Sequence, residues 1–209
     1  MEATARKNSR KIRVLVEMSL LTAVMFVFEL TGIGFIPIPP LTVVIMMVPV
    51  MIGAVRHGKG AGAFLGFVFG VTSMMQCFNG KVPLGTFIFS ISPFLTIVLN
   101  VGVRVLVGFL TGLIYQLIKN LDKNKTWSYA VAGMSGSLMN TVFYMTTLVV
   151  FFGSLSETQG AFGISGLSKT AFLLAAFGAV AFQAAAEAVV CTFIGGTVAK
   201  VADRFVKYS

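Results

Sequence analysis

Charge is scarce in this sequence. Only 11% of the 209 residues are Asp, Glu, Lys or Arg, whereas soluble domains carry roughly a quarter. There are seven acidic residues, one histidine and two cysteines. Cys77 and Cys191 are too few and too far apart for a disulfide framework or a metal-ligand cluster, so both read as packing residues. The lone histidine, His57, sits in a basic turn and reads as solvated rather than as a ligand. HExxH, GxSxG and P-loop patterns are missing, as is the ring or repeated filter element of a selective pore. Catalysis and ATP hydrolysis therefore have no evident home, and neither a metal nor a cofactor is expected.

Apolar sequence is abundant, at 56% of residues, and it falls in long runs of membrane-span length. The net charge of +9 does not indicate nucleic acid. Its basic residues cluster at span ends and form no stripe with aromatics that could follow phosphates. The lipid bilayer is the expected partner surface.

The stretch Thr31–Gly70 sets the plan. FIPIPP, which cannot be a helix interior, drops into an apolar run that stops at Arg56-His57-Gly58-Lys59. A second run leaves with glycine at every fourth place: Gly62, Gly66 and Gly70. This reads as two closely packed helices joined by a short cytoplasmic turn. The expected fold is all-α, a polytopic membrane protein in one domain over 1–209: a basic tail over 1–11, disordered or lying on the inner lipid surface, then a six-helix bundle over 12–199. The spans are expected near 12–30, 41–55 (kinked at Pro49), 60–78, 93–118, 127–152 and 170–198. Loops are expected over 79–92 and 153–168. A cleaved signal peptide would have a shorter apolar region and a small-residue cleavage site, so the first span reads as retained. Thirteen of the sixteen Lys and Arg residues fall on one set of alternate loops and tails, which places both termini in the cytoplasm by the positive-inside rule.

Ionisable groups within hydrocarbon cost at least about 2.5–3.5 kcal/mol on insertion scales and normally face the bundle interior. Glu17, Glu29, Arg104 and Glu187 need such an account. Glu17, near the inner end of its span, reads as structural. Arg104 and Glu187 come out at similar depths, roughly 16 Å from the outer end and roughly 18 Å from the inner end of their spans. They are placed either to pair with each other or to leave the guanidinium for a ligand carboxylate. Asn140 and Thr141 are mid-span; Tyr144 is one turn beyond Asn140, and Gln183 one turn before Glu187. Ser73 and Gln76 lie on the outer half of the third span. Polar groups thus gather in the outer half of the bundle, below two Pro/Gly-rich loops, as in a solute pocket with a lid. Ser19 and Ala23, four apart on the first span, form a small-xxx-small notch that lets another helix approach.

In order and spacing, GFIPIPPLTVVIMMVPVMIGA, GKGAGAFLGFVFGVTSM, RVLVGFLTGLIY and GSLMNTVFYM resemble the substrate-binding S components of energy-coupling factor (ECF) vitamin transporters, over about Leu20 to Ala199. Relatives often carry proline where this chain has Val103. The resemblance implies a six-helix bundle that binds a vitamin near the outer surface beneath two loops. It also implies docking, through the first helix, onto a membrane coupling protein carrying two ATPases. Ser19 and Ala23 occupy the place of the docking motif, with serine where alanine is usual. The pantothenate branch is most similar, through GSLMNT and IPIPPLTV; folate and hydroxymethylpyrimidine relatives share much of the pattern. The implied substrate-binding residues are Arg104, Asn140, Tyr144, Gln183, Glu187, Gln76 and Ile38.

Overall fold

A computed structural model describes residues 2–38, 41–121, 126–163 and 166–198. Side chains of 35–43, Ile38 included, lie outside the described residues, as do the basic residues of 199–209 and those near 123–125.

The chain opens with one continuous helix, α1 (Glu2–Thr31). The basic tail is therefore helical and not a disordered extension. Gly32, at φ 75°, stops it, in a left-handed conformation that glycine adopts without steric cost. The first four residues of FIPIPP form a strand, β1 (Phe35–Ile38), paired antiparallel with β2 (Leu41–Val44) in the register Phe35 to Val44 and Ile38 to Leu41. Proline suits a two-stranded hairpin because both strands are edges. The expected second span thus divides. Its first part is β2, and its second part is the eleven-residue helix α2 (Met47–His57), roughly 16 Å long at 1.5 Å per residue. Pro49 falls in the first turn of α2, where its missing N–H would have had no intrahelical partner, so it starts the helix and does not kink it.

Gly58 alone separates α2 from α3 (Lys59–Phe78). Its φ of 89° reverses the chain, and its N–H donates to the Ala54 carbonyl. The expected loop after α3 contains a helix, α4 (Pro83–Ile91), and α5 (Pro93–Ile97) follows at once; each begins with proline at its first turn, where its fixed φ is preorganised. A π-helical turn (Val98–Gly102) leads from α5 into α6 (Val103–Ile118), completing one span over Pro93–Ile118. Then come α7 (Thr126–Phe152), the short α8 (Ser156–Ala161) inside the expected outer loop, and α9 (Lys169–Val190). A second π turn (Cys191–Gly195) continues α9, and the span runs to Val198. Among the described residues, five helices are long and apolar enough to cross a membrane.

In a bilayer, lipid is as apolar as leucine, so helices associate through close packing and hydrogen bonds. The tightest seam is between α3 and α6. A Cβ on Gly62 would strike the Gly108 carbonyl oxygen, one on Gly108 the Gly62 carbonyl, and one on Gly66 the Arg104 carbonyl. The glycine stripe of α3 therefore serves chiefly α6 and not the α2 hairpin expected from sequence order. Beside this seam Met25, Met46, Met51, Leu65, Phe69 and Val107 form the buried centre.

Candidate functional site

At one end of the bundle, beside the α2–α3 turn, Glu17 on α1 is bound by Arg56 and His57. Arg56 Nε and Nη2 approach its carboxylate oxygens at 2.9 Å, and His57 Nε2 lies 2.9 Å from Oε2. The His57 side chain is 12% exposed. It is not the solvated residue its basic neighbours suggest. With Arg56 it ties the α2–α3 turn to α1.

Toward the opposite end of the bundle, α3, the π turn, α6, α7 and α9 surround a cavity of about 240 Å³, bordered by Val44 of β2 and Val82 and Gly85 at the start of α4. Its walls include Ser73, Gln76, Asn100, Arg104, Asn140, Thr141, Tyr144, Gln183 and Glu187. The structure thus brings together every sequence-predicted substrate residue whose side chain is described.

Arg104 is buried and fixed from three sides. Its guanidinium carbon lies 4.5 Å from the Phe69 ring centroid and 5.2 Å from that of Tyr144, within the range of cation–π attraction. Nη1 donates to the Asn100 carbonyl at 3.0 Å and to Asn100 Oδ1 at 3.4 Å. Its Nε has no partner among the described residues. The alternative of a direct pair with Glu187 is not realised. Glu187 Oε1 accepts instead from Gln183 Nε2 at 2.9 Å and from the Val44 backbone N–H at 3.2 Å. The hairpin is thereby tied to α9.

Six buried side-chain polar atoms lack partners among the described residues, and three of them (Ser73 Oγ, Arg104 Nε and Asn140 Oδ1) belong to residues of this cavity. A buried polar group without a hydrogen bond is costly, and these three belong to residues that line one hollow. Donors and acceptors of both kinds are present, with one fixed cation. That set suits an anionic, hydroxylated or amide-bearing small molecule.

Two members with hydrogen-bonding side chains are missing from the sequence-based set. Asn100 is 2% exposed and binds Thr96 O through Nδ2 at 3.1 Å; an amide in the middle of an apolar run was the available signal. Cys77, read as packing, is buried and also borders the cavity. Gln76 borders the cavity too, and donates through Nε2 to the buried Glu29 of α1. Ser19 and Ala23, by contrast, are exposed. With Leu15, Met18, Thr22, Phe26 and Phe64 they line a separate, mostly apolar groove of about 580 Å³ along α1.

Comparison with known proteins identifies the family. The family model described as "ECF transporter, substrate-specific component" matches residues 13–196. A curated relative, the pantothenic acid transporter PanT of Lactococcus lactis subsp. cremoris (strain MG1363), is 28% identical over 150 residues, covering 66% of this chain and 72% of that protein. The chain belongs to the substrate-specific components of ECF transporters, multi-pass proteins of the cell membrane.

Proposed function

We propose that this chain captures pantothenate in the outer cavity and delivers it inward by associating with a membrane coupling protein and two ATPases. The observation that carries the substrate reading is the buried Arg104 guanidinium, with Nε unpartnered, beside unpartnered Ser73 Oγ and Asn140 Oδ1. In this reading Arg104 receives the carboxylate, since its planar donor fork matches that group. Asn140 and Ser73 meet the amide and hydroxyls. Gln183, Glu187, Gln76 and Tyr144 complete the walls, and Ile38, whose side chain lies outside the described residues, is a further proposed contact.

Size and charge favour pantothenate over the other branches. A cavity of about 240 Å³ lies just below the roughly 300–1,000 Å³ usual for ligand pockets. Folate, with three ring and chain units in series, is much longer than such a hollow. Hydroxymethylpyrimidine has no carboxylate to offset the buried cation. The single domain has both termini in the cytoplasm, α2 and the hairpin together filling the place of a sixth span. Ser19 and Ala23 dock the coupling protein, and ATP is hydrolysed by partners.

Calorimetric titration of the purified protein with pantothenate, folate and hydroxymethylpyrimidine, without ATP, tests the reading. Saturable heat with pantothenate alone is expected. Heat with another of the three and none with pantothenate would reassign the substrate.

A further inference from the structure

Most of α1 faces outward: Leu15, Val16, Leu20, Val27 and Leu30 are all exposed. Glu29 is different, at 4% exposure. A carboxylate buried at that position needs partners. One is Lys81 Nζ, 3.7 Å from Oε1, on a side chain that is 53% exposed. The other is Gln76 Nε2 on α3, a buried donor to Oε2. Gln76 also forms part of the cavity wall. One amide therefore borders the hollow and grips the outer end of the least embedded helix.

The geometry points to Glu29 as a positioning residue that links occupancy of the cavity to the packing of α1, given that the cavity is the substrate site proposed above. A primary amide offers two N–H donors and a carbonyl. Glu29 takes one N–H, which leaves the other and the carbonyl available to a guest. A guest bonded there holds the amide in the rotamer that grips Glu29, and polarisation along the chain strengthens that grip. The last turns of α1 then lose freedom when the cavity fills, a coupling carried by ordering without a change of fold.

Hydrogen exchange of the full-length protein, with and without saturating pantothenate, reads this at the backbone amides of residues 25–31. In the wild type, pantothenate should slow their exchange about tenfold. Glu29→Ala should abolish that slowing, and Lys81→Met, which spares the Gln76 contact, should retain it. The near-isosteric Glu29→Gln should keep less than half of it, so the test does not depend on the alanine variant folding. An unchanged exchange rate in the wild type, or a full response in Glu29→Ala or Glu29→Gln, overturns the role of Glu29. Calorimetry on the same samples separates the two levels. Absence of pantothenate heat removes the substrate assignment and the coupling with it, whereas heat without an α1 response removes the coupling alone.

Discussion

Asn100 holds Arg104 by two acceptors at once: the Arg104 Nη1 donor reaches both the Asn100 carbonyl and its Oδ1. The two residues are four apart across the junction of the π turn with α6. The wider turn places the amide beside the guanidinium, and Phe69 and Tyr144 confine the plane of the cation. The guanidinium is therefore aimed before any guest arrives, which lowers the ordering cost of binding.

Arg104→Ala should weaken pantothenate binding by about 1.5–3 kcal/mol, the worth of hydrogen bonds to a charged group, or roughly 10–150-fold in Kd by calorimetry. Arg104→Lys should recover little of it, because an ammonium lacks the planar fork. Asn100→Ala should weaken binding by a smaller factor, about 5–10-fold, through loss of aim alone. Wild-type affinity in Arg104→Ala would confine the residue to architecture.

Glu17→Ala should lower thermal stability and leave affinity intact. It strands Arg56, whose side chain is 9% exposed, beside His57, at a cost of about 1–3 kcal/mol. The cluster lies at the end of α2; α3 starts beside it, some seventeen residues before Gln76, or roughly 25 Å along that helix. A Tm measured with and without pantothenate should fall by similar amounts in both states. A fall confined to one state would mean that the inner cluster communicates with the cavity.

Gly62→Val or Gly108→Val should prevent a monodisperse folded protein from forming, because each new side chain meets backbone that cannot retreat. Gly178→Ala is the counter-example. A Cβ there meets nothing within 4 Å, so the substitution should be neutral or stabilise by up to about 1 kcal/mol through helix propensity. Size-exclusion profiles and Tm values of the three variants check both halves.

Ser19→Leu should spare pantothenate binding and abolish uptake in cells that also express the coupling module. The side chain is exposed on α1 and remote from the residues of the cavity. Uptake at the wild-type rate would remove Ser19 from the docking surface.

The long elements were legible because membrane insertion demands uninterrupted apolar runs, and the glycine spacing revealed a close seam. The partner across that seam was not legible, since four-residue spacing gives a face but no neighbour. Arg104 and Glu187 stand out through the cost of charge in hydrocarbon. Asn100 was passed over because a neutral amide disturbs hydropathy much less. The strand Leu41–Val44 was merged into the run that follows it, as four apolar residues carry no period that separates strand from helix. The π turns leave no composition signal, and His57 was misjudged because its partner, Glu17, lies forty residues away.

The one-residue joint at Gly58 leaves α2 and α3 no slack. They form a stiff keel, and the seam with α6 extends that rigidity to a third member. Any widening of the cavity is then expected at the hairpin or the start of α4, which border it through Val44, Val82 and Gly85.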